Sequence, residues 1–422
     1  MSHATHPLLL CDLTQSYAPQ GGGGIGTYLR EKQRYILDHT PHRLLQIVPG
    51  PEDLVVEDGR HIWAQVGADQ VRGSPNYRFI MRTGVVRRLL EEYRPDLIES
   101  QCPWVLPWTA INYGKAFPET ALVAGYHTDF PEAHIYRVGS SLFGSFVAGG
   151  LRRLATGYAQ LTYKEFDRVY TLSTIMERTL REYGIAHVDV ISLGVDTDLF
   201  HPQRRDPSWR GELGLAVCGP VLVYAGRIDN EKRAYQLLDM FRRLPQSLDA
   251  GLVMIGDGKL RQQLEQESAG LNVSFPGFIS NRADLARALA SADIYVSAMA
   301  DETFGISVIE AQACALPVIG VAAGAMPERV PHGTGVLVPV DDPQALADAV
   351  CKMWQGNHQQ MGQLAREYVE GRFAWHRTFE KLLADVYPKA LKAARLRTAK
   401  GRSGGSGLGA LFSRDRVRRA VR

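Results

Sequence analysis

The chain has 422 residues, 45% of them hydrophobic, with 48 Lys and Arg against 45 Asp and Glu. That length gives a prior of roughly two to three domains with ample core in each, and the near-balance of charge calls for neither nucleic acid nor a strongly charged partner. The five scattered cysteines, Cys11, Cys102, Cys218, Cys314 and Cys351, form neither a disulfide framework nor a metal-ligand cluster and fit a reducing cytoplasm; with no N-terminal apolar segment ahead of a cleavage site and no long apolar run, neither export nor a membrane span is expected.

In the first half, strand-like runs at Leu8–Leu10, Leu44–Val48, Leu97–Ile98 and Ala121–Ala124 alternate with helix-like stretches, the pattern of parallel sheets covered on both faces. After the first run come Gly21, Gly22, Gly23 and Gly24, then Ile25-Gly26-Thr27, with a helix predicted to open at about Thr27. This loop has neither the Lys of a P-loop nor the acidic partner of a dinucleotide fingerprint. Taken alone it is equally a flexible turn and a loop bringing backbone amides to a phosphate or sugar. His127 follows the run Ala121–Ala124 at a strand end; a single His is more often structural than catalytic, and with Asp129 it makes no metal cluster. Leu142 to Val147, followed by Arg152-Arg153, fits an amphipathic helix or ordinary core.

The second half carries more pointed chemistry. Val221 to Ala225 reads as a strand that ends in Gly226-Arg227, with Lys232 a short turn later. Further along come the apolar run Leu252–Ile255 with Gly256-Asp257-Gly258, and Val273–Phe278 with Ile279. Tyr295 to Met299, with the preceding Asp293-Ile294, reads as a short buried strand, and Phe304-Gly305 as a turn into a helix that Pro317 stops. Glu302 lies just ahead of that helix and Glu310 about two turns inside it, among residues otherwise almost wholly apolar. A carboxylate there needs a charged or hydroxylated partner. A ligand at the carboxyl end of the strand meets this need, since free N–H groups at the helix N-terminus favour a diphosphate. The alternative is that Glu302 caps the helix and Glu310 pairs with a buried Arg.

The ordered set of Gly226-Arg227 with Lys232, Gly256-Asp257-Gly258, Val273–Phe278 and the Glu302–Glu310 pair resembles that of the retaining GT-B glycosyltransferases of family 4 (glycosyl transferases group 1). Ile191–Pro202 resembles their interdomain linker, and the glycine run resembles their acceptor-side loop. The resemblance covers residues from about 7 to 390 and implies an α/β protein of two doubly wound, Rossmann-like domains facing across a cleft. The divisions it implies are 1–195 for the acceptor side, 196–375 for the nucleotide-sugar side and 376–396 for a helix crossing back; beyond them, the composition of residues 397–422 leads us to expect a basic, disordered tail.

The same likeness implies a catalytic set of His127, Arg227, Lys232 and Glu302. Arg227 and Lys232 would hold the diphosphate, Glu310 the ribose, and Glu302 and His127 the donor sugar. Backbone at Phe304, Gly305 and Ile306 would border sugar and phosphate, Phe278 and Ile279 the base, and Gly23, Gly24 and Gly256 the donor. Ala323–Glu328 would line the nucleotide, although Gly324-Ala325 stands where the family often has paired glycines, and Arg233 where it often has Gly. Asp196-Thr197-Asp198 mimics a metal-binding D-x-D but sits in the linker; no metal and no other cofactor is expected.

The reaction implied is hexosyl transfer, mannosyl or glucosyl, from a nucleoside-diphosphate sugar to a lipid or saccharide acceptor, with an epimerase or a nucleotide-sugar sensor as the alternatives. The residues from Lys389 to Arg422, in which Asp415 is the single acid, fit contact with an anionic membrane, a solubilising tail or nucleic-acid contact. No nucleic-acid partner is expected. The expected location is the cytoplasm, either free or at the inner face of its membrane.

Overall fold

The computed structural model describes residues 6–15, 17, 24–71, 74–136, 145–215 and 217–404. The described residues of the first half hold ten strands: β1 (Leu9–Leu13), β2 (Arg43–Gly50), β3 (Leu54–Asp58), β4 (His61–Gly67), β5 (Asp69–Val71), β6 (Ser74–Phe79), β7 (Leu97–Ser100), β8 (Ala121–Tyr126), β9 (Arg168–Thr171) and β10 (Val188–Val190). Eight of them form one sheet in the order β10-β9-β8-β7-β1-β2-β4-β3. Its pairs are parallel except at the edge, where β3 runs antiparallel to β4. A separate hairpin joins β5 to β6.

The second half supplies β11 (Val221–Ala225), β12 (Gly251–Ile255), β13 (Val273–Gly277), β14 (Ile294–Val296), β15 (Val318–Val321) and β16 (Gly335–Val338). They form an all-parallel sheet ordered β13-β12-β11-β14-β15-β16. The apolar strands suit this, because helices cover both faces: every residue of β8, β11 and β12 is buried, as is every residue of β1, Asp12 included. The molecule is thus two doubly wound α/β units. In the first sheet the strand order reverses between β1 and β7, in the second between β11 and β14. Such switch points open a crevice at the carboxyl ends of the strands.

The two units share one apolar cluster, which runs from Leu10 and Tyr28 to Val223 and Trp375. The chain passes between them twice at one place, where Val195 N–H donates to the Phe373 carbonyl at 2.7 Å. A Cβ on Gly194 would lie 2.5 Å from the Trp375 nitrogen, so only glycine permits this crossing. The helix Trp375–Lys381 and the helix Tyr387–Gly404, joined by a π-turn at Leu382–Val386, then lie on the first sheet. Thr378 Oγ1 bonds the Ser192 carbonyl at 2.8 Å and Lys381 Nζ the Val190 carbonyl at 2.7 Å.

Several boundaries differ from the sequence expectation. The last helix runs through 404 rather than ending at 396, because Arg397 is tied to Asp167 and to the carbonyls of Pro118 and Thr120, at 3.2 and 3.0 Å; residues 405–422 lie outside the described residues. The first helix spans Gly24–His39 and so begins three residues before Thr27. The strand expected through Met299 ends at Val296. Beyond Ser297, whose N–H still reaches the Ile319 carbonyl, the chain leaves the ladder toward the crevice. The helix Ile306–Ala313 closes before Pro317 by a bond from Leu316 N–H to the Ala311 carbonyl, with Ala315 left-handed at φ +60°.

Candidate active site

The exits from β11, β12 and β14 converge on one end of the second sheet. Gly226 follows β11, and its N–H bonds the Ile255 carbonyl at 2.9 Å, while Tyr224 Oη donates to the Arg227 carbonyl at 2.7 Å. The next turn packs directly on it: at Gly256 (φ +137°) a Cβ would lie 1.8 Å from the Gly226 carbonyl oxygen. Backbone alone therefore fills the space between the two turns, and this holds the Arg227 turn in place. Arg227 is over half exposed and bonds Asp229 Oδ2 at 2.5 Å and Glu231 Oε2 at 2.6 Å.

Lys232 Nζ lies 3.1 Å from Glu302 Oε2 and 2.8 Å from Met299 Sδ, so the β11 and β14 exits meet through a cation and a carboxylate. Glu302 Oε1 accepts from the Gly305 N–H at 3.1 Å. Gly305, at φ +86°, caps the helix Ile306–Ala313. Gly324, at φ +55°, packs so tightly on the Glu302 segment that a Cβ would sit 2.7 Å from the Glu302 carbonyl oxygen, and Ala325 N–H bonds that oxygen at 2.7 Å.

Glu310 is the fifth residue of its helix, about one turn in rather than two. It is buried, and Oε1 accepts from Arg282 Nη2 at 2.6 Å. Burial pushes its pKa up and Arg282 opposes the rise. Arg282 opens the helix Arg282–Ser291, after Asn281 caps it by accepting the Ala283 N–H at 2.8 Å. The turn between β13 and this helix carries Phe278, which is 54% exposed, and Ile279, which is partly buried. Both contacts of the alternative reading thus exist: Glu302 caps the helix turn and Glu310 holds an Arg. Arg282 is itself only partly buried, at 36% side-chain exposure, and lies over the Phe200 ring, 4.7 Å from its centroid.

The first unit forms the opposite wall. Gly24 approaches Ile306 so closely that a Cβ would lie 3.2 Å from Ile306 Cδ1; Gly23 lies outside the described residues. His127, at the end of β8, is partly buried, its Nε2 is hydrogen-bonded to Gln101 Oε1, and burial pushes its pKa down to about 4. Two contacts clasp the walls together. Glu328 Oε1 accepts from Thr174 Oγ1 at 2.6 Å and Thr174 N–H at 3.0 Å. Arg329 donates to the Leu172 carbonyl at 3.0 Å and the Phe304 carbonyl at 2.8 Å.

Of the sequence-derived residues, the structure gathers Lys232, Glu302, Gly305 and Ile306 at one point, with Arg227 and Gly256 at the adjoining turn; Glu310 is held by Arg282, and Phe278 and Ile279 lie in the turn after β13. Gly24 and His127 belong to the facing unit. Phe304 contributes no side chain: it is 2% exposed and lies under the Arg329 guanidinium, 4.1 Å from its ring centroid. Asp129 is taken up by Tyr126 and Tyr183 hydroxyls at 3.0 and 3.2 Å. Asp196 accepts the N–H groups of Asp198 and Leu199 at 3.2 and 3.0 Å, an ordinary turn cap. Among the described residues no cluster of three or more His, Cys, Asp or Glu is arranged around a metal position.

Sequence reasoning missed Arg282, Glu328 and Arg329. The signal for Arg282 was the Asn-Arg start of a helix after a glycine-ended strand; Glu328 fell within the flagged Ala323–Glu328 stretch without a role.

Residues 22–199 match the family model described as Glycosyltransferase Family 4 and residues 219–356 that of Glycosyl transferases group 1, together about three quarters of the chain. The GDP-mannose-dependent alpha-(1-6)-phosphatidylinositol dimannoside mannosyltransferase of Mycobacterium tuberculosis is 28% identical over 381 residues, covering 88% of this chain and 93% of that protein. The GDP-mannose-dependent alpha-mannosyltransferase of Corynebacterium glutamicum is 27% identical, over 90% of this chain and 89% of its own length. Among solved structures, sucrose-phosphate synthase from Thermosynechococcus elongatus superposes with a TM-score of 0.71 at 20% identity, over 94% of this chain and 100% of the other.

Proposed function

The chain is a member of glycosyltransferase family 4, group 1, with the GT-B fold, and from that premise we propose that it moves a mannosyl group from GDP-mannose to a lipid acceptor, without a metal ion and with retention at the anomeric carbon. The observation that carries this reading is the Lys232–Glu302 contact at 3.1 Å, beside Arg227 and opposite the Gly24 wall. GDP-mannose is chosen because both mannosyltransferase relatives are named for it.

Each charged group has a task in the reaction. Breaking the sugar–phosphate bond leaves negative charge on the β-phosphate, and stabilising that charge is the main demand. Arg227 and Lys232 exchange their present carboxylate partners for phosphate oxygens, Arg227 as a fork and Lys232 as a mobile point charge. Glu302 accepts from sugar hydroxyls and Glu310, steadied by Arg282, from the ribose. His127 faces the sugar. The acceptor hydroxyl attacks on the face the phosphate leaves; its oxygen bonds the anomeric carbon as the carbon–phosphate-oxygen bond breaks, and its proton passes to the departing phosphate.

A membrane-borne acceptor is supported by the helix Ser145–Tyr163, which packs against Pro131–Tyr136 just beyond His127. It exposes Phe146 (94%), Leu154 (73%) and Leu161 (53%), with Arg152 and Arg153 beside them. Apolar side chains edged by Arg suit the boundary of an anionic bilayer. Leu142 to Gly144, expected to begin this element, lie outside the described residues.

The test incubates the full chain with labelled GDP-mannose or UDP-glucose, with and without phosphatidylinositol-containing vesicles, in the presence of chelator. Expected is an alpha-mannosyl lipid formed only with GDP-mannose and vesicles, with the protein sedimenting alongside them. Isomerised donor in the absence of lipid would make the protein an epimerase, and binding without conversion a sensor. Activity lost to chelator and restored by manganese would overturn the metal-free mechanism.

A further inference from the structure

From the hydrogen-bond chain behind His127 we infer that Glu99 and Gln101 are positioning residues that lock His127 as its Nε2–H tautomer and so turn a bare Nδ1 lone pair toward the donor sugar. The inference rests on the reading above that His127 borders the sugar.

Glu99 is fully buried at the switch point of the first sheet. Its Oε1 receives the hydroxyls of Tyr28 at 2.6 Å and Tyr170 at 2.9 Å and the amide nitrogen of Gln101; its Oε2 receives the Tyr387 hydroxyl and Lys32 Nζ, the latter at 3.2 Å. Burial alone would raise the carboxyl pKa, but Lys32 and the tyrosine hydroxyls hold it below the usual range. An ionised carboxylate only accepts. Gln101 must therefore face it with NH₂, since a carbonyl there would set acceptor against acceptor. That fixes Gln101 Oε1 outward, where it also lies 3.1 Å from Tyr170 Oη.

An amide oxygen cannot donate, so the His127 Nε2 that bonds it must carry the proton. Burial keeps the imidazole neutral and leaves Nδ1 bare. The rings of Tyr28 and Tyr170, at 6.1 and 5.8 Å between centroids, flank the imidazole. Gly125 keeps the junction open, because a Cβ there would lie 2.6 Å from both Gln101 Oε1 and His127 Nε2.

The consequence is chemical. As the bond to phosphate stretches, positive charge grows at the anomeric carbon. An N–H pointing at the sugar would oppose that charge, whereas a lone pair accepts from a sugar hydroxyl and strengthens as the charge develops. Tyr387 belongs to the helix that crosses back from the second unit. The same carboxylate that sets the tautomer therefore also ties down that crossing.

The test is ¹⁵N NMR of the histidine-labelled full chain, with the His127 signals assigned by their loss in His127→Ala. In wild type, Nε2 is expected at the protonated shift and Nδ1 at the bare shift from pH 6 to 8. Gln101→Met, which leaves every other donor to Glu99 and the Lys32 pairing in place, should give a mixed or reversed tautomer and lower kcat about tenfold, with donor KM changed less than twofold. Glu99→Gln, which frees the Gln101 amide to flip, should move the tautomer the same way.

A protonated Nδ1 or an imidazolium in wild type would overturn the inference without recourse to any variant, as would an unchanged tautomer in a folded Gln101→Met protein. Normal turnover in His127→Ala would instead sink the reading that His127 borders the sugar and leave the tautomer result standing.

Discussion

Replacing Lys232 by alanine lowers kcat for transfer by about 10²–10³-fold, the loss typical when one preorganised contact to a developing oxyanion is removed. The fold survives, because Lys232 and Glu302 keep 22% and 15% side-chain exposure and Glu302 retains the Gly305 N–H. Arg227→Ala has a loss of similar size. Arg227→Lys recovers part of it, since the charge returns without the fork. The double variant falls short of the product of the single losses, because both cations serve one diphosphate. Steady-state kinetics alongside thermal melts check this, and a folded Lys232→Ala protein with kcat within threefold of wild type would contradict it.

Lys32→Met is expected to destabilise the protein by about 3–5 kcal/mol, because it leaves two buried carboxylates without their shared cation. Asp12 and Glu99 are register partners on β1 and β7, both at 0% exposure, and Lys32, at 1%, meets both. Burial pushes Asp12 up even with Lys32 in place. Without Lys32 the Glu99 carboxyl also moves up. A carboxyl whose folded pKa lies above its unfolded value contributes stability below the unfolded pKa and loses it as pH rises through the folded one. The deficit in Lys32→Met therefore shrinks as pH is lowered from 7 toward 5. Urea melts at both pH values check the sign, and a deficit that grows on acidification would show that the cluster is not held by charge.

The sequence made legible whatever lies within a short stretch of chain. The strand Val221–Ala225 ending in Gly226-Arg227, the glycines at 256 and 258, and the Glu302–Gly305 turn are all local, and each holds its place in the structure. What stayed hidden depends on neighbours far along the chain. Asp12, Lys32 and Glu99 each read as an unremarkable polar residue until β1 and β7 are known to be adjacent, and Tyr387 reaches Glu99 across 288 positions. Arg282 was invisible as the partner of Glu310 for the same reason. The helix ending at Ala313 rather than at Pro317 has a different cause: a left-handed alanine closes it, where glycine is the usual marker.

The central claim is that Arg227 and Lys232 leave their carboxylate partners to grip a diphosphate at the β11–β14 switch point. A crystal structure of the GDP complex measures this directly. Expected are Lys232 Nζ and the Arg227 guanidinium within hydrogen-bond reach of phosphate oxygens, with Glu310 on the ribose. Bound GDP away from these residues, with the Lys232–Glu302 contact still closed at 3.1 Å, would contradict it.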